Sequence, residues 1–358
     1  MFVDSSIEER RFSLESRRYI GCKTKLVDWI FNLINEHTHD IHSFCDIFAG
    51  TGVVAHRALQ TYERVVVNDF LHSNNVMYRA FFAPTEWNEE RIHAIIEDFN
   101  SVNPDRIRDN YFSKNFGGKY FDVDTAKKVG YIREHLQKMK TGLTSKEYSI
   151  LLASLIYSID RRANTIGHFE AYIKKEIPTQ PPFELRMIDV QTYEGVEIHQ
   201  EDANQLARSV DVDLTYLDPP YNSRQYSRFY HVYENLVQWK KPQLYGAALK
   251  PKEENMSDYC RNAAFTAFTD LVSHIKSRYL VVSYNNTYHS KSTSSENKIK
   301  LEQLEEVLNK CGNTHVFNHE FKAFNSGKTE FDDHREYLFI TEVNDEKRNR
   351  SFPAVLRG

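Results

Sequence analysis

The residues best suited to chemistry in this chain are Asp218-Pro219-Pro220-Tyr221. Two consecutive prolines fix the backbone and remove two N–H donors. The Pro219 carbonyl then stands beside the Asp218 carboxylate as a pair of acceptors. Two acceptors are what an amino group, with its two N–H donors, requires. Tyr221 adds a flat face for stacking a base, a contact worth about 1–3 kcal/mol. Alone, the tetrapeptide reads equally well as a turn that closes a strand. Its place at the end of the apolar run 212–221 favours chemistry, because open α/β sheets put their ligand crevices at the carboxyl ends of strands.

A second signal is Asp46-Ile47-Phe48-Ala49-Gly50-Thr51-Gly52, again between a strand and a helix. Gly50 and Gly52 permit positive φ and close approach of a ligand to the backbone, and the helix that follows offers unpaired N–H groups. The Lys-Ser/Thr ending of a P-loop is absent, as is the longer G-x-G-x-x-G fingerprint. Asp69 ends the next strand, where an acid that binds ribose hydroxyls would stand. Asp202 follows a further strand. The bland alternative for each acid is a solvated loop carboxylate.

These residues need elements to hold them. Residues 25–34 have apolar positions at helical spacing. Residues 42–60 read as strand, glycine turn and helix, and 64–70 as a second strand. That is a βαβ unit, so the expected fold class is α/β with a parallel sheet. Residues 76–197 are mainly helical in pattern and too long for a connection between neighbouring strands. They are expected to form an inserted helical subdomain between the catalytic parts 1–75 and 198–358. Strand patterns return at 196–202, 212–221 and 278–286. A hairpin is expected from 314–324 and 334–343, with a loose charged tail from Asn344.

Composition sets the limits. The 358 residues carry a net charge of -4, with 41% hydrophobic residues and 23 Phe and 21 Tyr, which suits a large folded chain. No run approaches the length of a membrane span, and the opening stretch lacks the apolar core of a signal peptide. Cys22, Cys45, Cys260 and Cys311 are far apart and form no CxxC pair, so neither a zinc site nor a disulfide framework is expected. His37 and His39 have no surrounding ligand pattern, and no metal site is expected. A reducing cytoplasmic setting and no membrane partner follow.

Asp46–Gly52, Asp218–Tyr221 and Arg18-Tyr19-Ile20-Gly21-Cys22-Lys23 together resemble the Dam-like (α-group) adenine-N6 DNA methyltransferases. The resemblance covers most of the chain and keeps that group's motif order. Arg18–Lys23 is similar to motif X, Asp46–Gly52 to motif I, Asp69 to the motif II acid, Asp202 to motif III, Asp218–Tyr221 to motif IV and Ser283-Tyr284-Asn285 to motif VI. Residues 164–174 and 218–236 look closest to methyltransferases of restriction–modification systems, including type IIS partners.

The resemblance implies a Rossmann-like, S-adenosylmethionine-dependent methyltransferase sheet. It implies a cofactor site at Tyr19, Gly21, Lys23, Asp46, Phe48, Ala49, Gly50, Thr51, Gly52, Asp69, Asp202 and Asp218, with Asp202 accepting from the cofactor's adenine amino group. Asp218, Pro219, Pro220 and Tyr221 would act on a flipped adenine in double-stranded DNA by direct methyl transfer, with no metal and no covalent enzyme intermediate. A cognate restriction endonuclease would be the partner. RNA adenine-N6 methylation, DNA cytosine-N4 methylation and a catalytically silent, cofactor-binding DNA specificity protein are the alternatives. Aspartate in motif IV favours adenine over cytosine as a class tendency.

The sheet serves any adenine, so base-edge contacts are expected from the 76–197 segment. Asn115, Lys119, Arg133, Arg161, Arg162 and Asn164 are the candidates there, with Lys174, Lys175, Lys240 and Lys241 as further cations. Residues 149–159, an apolar run, are expected to be packing. After Tyr221, Arg224 and Arg228 alternate with Tyr226, Phe229 and Tyr230, which suits either DNA gripping or a buried helix face.

Overall fold

A computed structural model describes residues 11–178, 180–288, 296–320 and 334–348. Its strands are β1 (Ser43–Asp46), β2 (Arg64–Asn68), β3 (Val196–His199), β4 (Asp211–Leu217), β5 (Lys276–Asn285), β6 (Gly312–Glu320) and β7 (Arg335–Val343). They form one sheet in the order β3-β2-β1-β4-β5-β7-β6. Strands β1 to β5 pair in parallel, and β7 is antiparallel to both β5 and β6. The fold is therefore the expected α/β class, a mostly parallel Rossmann-like sheet with an antiparallel strand near the C-terminus.

The central strands are apolar on both faces, as parallel strands covered by helices must be. Phe44, Val65, Val67, Leu214, Val281, Leu338 and Ile340 point into one hydrophobic cluster. Their alternating neighbours Cys45, Val66, Leu280, Val282 and Phe339 point into the other. The helices that cover these faces are α1 (Val27–His37), α2 (Val53–Leu59), α3 (His72–Phe82), α4 (Glu89–Ser101), α5 (Tyr111–Phe116), α6 (Val123–Met139), α7 (Ser145–Asp160) and the short α8 (Ala203–Leu206). Later come α9 (Tyr226–Phe229), α10 (His231–Gln238), α11 (Ala264–His274), α12 (Leu301–Asn309) and α13 (Asp345–Arg348).

Helices α1 to α7 and α10 feed the first cluster, while α8, α11 and α12 feed the second. Helix α7 is buried nearly all round, the mark of a helix inside a core. Thr144 and Glu147 cap its start reciprocally. Residues 149–159 are packing, as expected. The helical segment thus shares one core with the sheet, and α3 runs through the expected junction at 75/76. After α7 the pattern changes. Residues 161–195 hold no helix or strand among those described, only isolated bridges such as Thr165 with Tyr172 and Phe12 with Ile188.

Two boundaries differ from expectation. The first hairpin strand starts at Gly312, two residues before the expected 314, and its expected end and turn lie outside the described residues. Residues Asp345–Arg348 form a short helix where loose chain was expected.

The sheet order places a switch point between β1 and β4. Chain runs from β1 outward through β2 to β3, then returns to β4 on the other side. Asp46 pairs with Tyr216, so the residues that follow β1 and β4 leave the sheet side by side.

Candidate active site

One cleft of about 1120 Å³ opens at this switch point. It is lined by Tyr19, Gly21, Lys23, Asp46, Phe48, Ala49, Gly50, Thr51, Asp69, Asp202, Asp218, Pro219, Pro220 and Tyr221. Of the site residues named from sequence, Gly52 does not line it. Gly52 begins α2 at φ +81°, and a Cβ there would sit 3.0 Å from the Tyr78 ring. Its role is to turn the chain against Tyr78 and Phe82.

Gly50, at φ +53°, does line the cleft. Its N–H donates to Asp69 Oδ2 at 2.9 Å, and the Leu71 N–H donates to Asp69 Oδ1 at 2.8 Å. Asp69 therefore ties the glycine turn to the end of β2. Burial lifts its carboxyl to about 6, against the opposing pull of those amides.

Tyr19 covers the turn, close to where a Gly50 side chain would begin. It stacks on Tyr230 at 4.5 Å and on Tyr226 at 5.4 Å. Gly21 has φ +80°, and a Cβ there would lie 3.1 Å from the Tyr226 hydroxyl, so glycine is demanded twice over.

Asp46 is 1% exposed, and neither carboxylate oxygen has a hydrogen-bond partner. Burial, then Asp218 and Asp69, push its carboxyl well above the usual range. A buried unpaired carboxylate is costly unless something charged completes it. The positively charged amino group of S-adenosylmethionine has that chemistry, and so the residues present fit this cofactor. Asp202 is exposed and caps α8, accepting from the Asn204 and Gln205 amides at 3.0 and 3.2 Å.

At the end of β4 the geometry is more specific than sequence suggested. Lys23 is 5% exposed. Its ammonium donates to Asp218 Oδ1 at 3.0 Å, to Oδ2 at 2.9 Å and to the Tyr221 hydroxyl at 3.0 Å. The Tyr221 hydroxyl in turn donates to Asp218 Oδ1. Burial pulls the ammonium down, but Asp218 and Glu336 outweigh it and hold the lysine above its ordinary value. Tyr221 packs its ring against Tyr284 at 4.4 Å, and the Tyr284 hydroxyl donates to the Tyr221 carbonyl.

Several lining residues were not singled out from sequence, among them Asn68, Tyr259 and Glu336. Asn68 is buried and its amide bridges the Ile47 and Glu201 carbonyls. Tyr259 sets its ring edge-on to Phe48 at 5.0 Å. Glu336, on β7, is 5% exposed and its Oε2 has no partner. Its only sequence signal is a charged residue at the start of an otherwise apolar strand.

Among the expected DNA contacts, Arg133 is a correction. It is 1% exposed and donates to the Leu236 and Val237 carbonyls at 2.6 and 3.1 Å. A guanidinium spent on the last turn of α10 cannot reach DNA. Phe229 and Tyr230 are buried, so that end of the stretch is a packed face, and Arg228 donates to the Pro251 carbonyl. Arg224 and Thr165 to Gly167 do line the cleft. Asn164 is tied to the Lys119 and Ile173 carbonyls, and Arg162 to those of Pro181 and Pro182.

Comparison with known proteins agrees with this arrangement. The chain is 30% identical over 339 residues to the Type II methyltransferase M.CviAII of Paramecium bursaria Chlorella virus 1, covering 91% of this chain and 98% of that one. It is 27% identical over 341 residues to the Type II methyltransferase M.NlaIII of Neisseria lactamica, covering 90% and 98%. Against the Type II methyltransferase M.FokI of Planomicrobium okeanokoites the identity is 29% over 345 residues, covering 90% of this chain and 52% of that protein. A family description, D12 class N6 adenine-specific DNA methyltransferase, matches residues 19–281. That span runs from the tyrosine over the glycine turn, through Asp218–Tyr221, into β5, and the chain belongs to this family of site-specific adenine-N6 DNA methyltransferases.

Proposed function

We propose that the methyl donor is S-adenosylmethionine, held along the β1 and β2 side of the cleft, and that the target adenine meets Asp218, Pro219, Pro220 and Tyr221. The observation that carries this is the pairing of two carboxylates at the adjacent ends of β1 and β4. Asp46 is buried without a partner, and Asp218 stands in the same cleft. The first suits a cationic amino group, and the second an amino group that must be activated.

The cofactor supplies an electrophilic methyl group on a sulfonium. Everything else is positioning. The target amino group lies inside a base pair, so the nucleotide has to leave the stack, at a cost of a few kcal/mol. Tyr221 offsets part of that by stacking. Asp218 and the Pro219 carbonyl accept the two N–H groups, which turns the nitrogen lone pair out of conjugation and toward the methyl. Placement and fixed dipoles then do the work.

The substrate is double-stranded DNA carrying a specific sequence. Residues 161–195 are the better candidates for reading it than the helices of 76–160, because Thr165, Ile166 and Gly167 reach the cleft while no residue of those helices lines it. Arg224 joins them from the other side. A restriction endonuclease of the same specificity is the expected partner, since relatives are named type II methyltransferases and modification methylases. Among the described residues no helix is long and apolar enough to cross a membrane.

The test is transfer of labelled methyl from S-adenosylmethionine to DNA, followed by sequencing for modified bases. N6-methyladenine at one short sequence is expected. Label on cytosine, label only on RNA, or folded protein that binds neither the cofactor nor its demethylated product would overturn the proposal.

A further inference from the structure

The closed contact between Lys23 and Asp218 poses a problem for the reaction. All three ammonium protons of Lys23 are spent on Asp218 and Tyr221. Counting the Tyr221 hydroxyl, three of the roughly four lone-pair sites of Asp218 are used. A cation chelated across both oxygens also weakens the carboxylate as an acceptor for a neutral amino group. One site is left, and Asp218 holds the target at full strength only once the ammonium moves off. A buried ammonium cannot be let go without another acceptor, because an uncompensated buried charge costs several kcal/mol.

Glu336 has what is needed. It lines the same cleft and is 5% exposed, and one carboxylate oxygen, Oε2, has no partner. Its other hydrogen bond goes to the Asn285 side chain on β5, and Asn285 pairs with Glu336 across the sheet. It interacts electrostatically with both Lys23 and Asp218. It also lies outside residues 19–281, the span that the family description covers.

We propose that Glu336 is the second seat of Lys23: as the target amino group takes Asp218, the ammonium passes to Glu336 Oε2, which frees the carboxylate and the Tyr221 hydroxyl together. Glu336 is then a positioning residue, acting on the base through Lys23. This rests on the assignment of Asp218 as the acceptor of the target amino group.

The charge state of Glu336 makes the idea measurable. Burial, offset in part by Lys23, lifts its carboxyl to about 7. The other groups around it are Lys23, Asp218, Tyr216 on β4, Tyr221 after it, His334 beside it on its own segment, and His319, its pairing partner on β6. Burial and Lys23 hold His334 below its ordinary value, and burial holds both tyrosines well above theirs. Asp69 in the same cleft lies at about 6, so the limb that belongs to Glu336 is the one that the Glu336→Gln variant removes. The seat exists only when Glu336 is ionised.

The experiment compares wild type, Glu336→Gln and Glu336→Asp. It uses DNA carrying the sequence that the wild type methylates, and measures kcat/KM against pH alongside cofactor binding by calorimetry. Wild-type kcat/KM should climb through about pH 7. Glu336→Gln should lack that limb and fall about 10- to 100-fold below wild type at high pH, the size of one close charge pair in a partly buried site. The two should converge at low pH, Glu336→Asp should recover part of the limb, and cofactor affinity should be unchanged throughout. Retention of the same limb in Glu336→Gln, or a matching loss of cofactor binding, would overturn the second seat. The wild-type rate in the same series tests the functional proposal separately.

Discussion

Replacing Asp46 by asparagine should make the protein more stable and worse at binding its cofactor. The carboxylate is 1% exposed, with neither oxygen bonded to a donor. Burial comes first among the causes that raise its pKa, followed by the negative charges of Asp218 and Asp69. The Ala55 amide and Lys23 offset only part of this. The folded chain therefore holds the Asp46 proton more tightly than the unfolded chain does, whose carboxyl titrates near 3.8. Stability from this group is full below that value and is lost as pH rises through the raised one. The cost to the protein without cofactor therefore grows as pH rises above 3.8.

The asparagine side chain has the same shape and no charge, so the cost disappears in Asp46→Asn. A gain of about 1–3 kcal/mol is expected, a rise of a few degrees in Tm for a chain of this size. The gain should be largest at pH 8 and vanish near pH 4. The cofactor's amino group loses a charge-assisted partner worth about 1.5–3 kcal/mol, so Kd should rise by about 10- to 150-fold. Thermal melts across pH and calorimetry with S-adenosylmethionine measure both. A variant that melts below wild type at pH 8, or binds within twofold of it, would refute the reasoning.

Three further substitutions separate roles that the cleft combines. Asp218→Asn should lower the methyl-transfer rate by about 10²–10³ while cofactor binding survives; it should also lower Tm, since Lys23 keeps its burial and loses its ion pair. Arg133→Met should destabilise the fold by roughly 2–3 kcal/mol, because the Leu236 and Val237 carbonyls lose their donor. Sequencing of the DNA it modifies should give the wild-type site. Gly52→Ala forces a side chain into φ +81° with Tyr78 3.0 Å away. A cost of about 1–2 kcal/mol follows from the backbone alone, read as a lower Tm, with cofactor affinity of the folded variant nearly unchanged.

The cofactor side of the site was legible because its signals are local. A strand, a glycine turn, a helix and an acid at the next strand end occur within about thirty residues, and the structure puts Asp46, Gly50 and Asp69 together as that spacing required. The sheet was legible for the same reason: apolar runs bounded by polar ends mark its strands, although β3 and β4 stop short of the expected polar ends, β6 starts two residues early and the tail opens with a short helix. Charged residues in the helical segment were not legible. Arg133 looks like any surface arginine in sequence, and only the approach of α10 shows that it caps two carbonyls. Glu336 was hidden because its meaning depends on Lys23, 313 positions away in the chain (336 against 23).

Lys23 shows what that distance conceals. Its sequence position assigned it to the cofactor, yet its ammonium is committed to Asp218 and Tyr221. Four residues earlier, Tyr19 covers the glycine turn. Gly21 bends the chain between them at φ +80°, and the Cys22 thiol meets the Thr51 hydroxyl at 3.5 Å. One short loop thus touches both the glycine turn and the Asp218 carboxylate. The Tyr226 hydroxyl stands behind this loop and donates to the Ile20 carbonyl at 3.3 Å. Lys23 is thereby buried beside Asp218, within one short loop of the glycine turn.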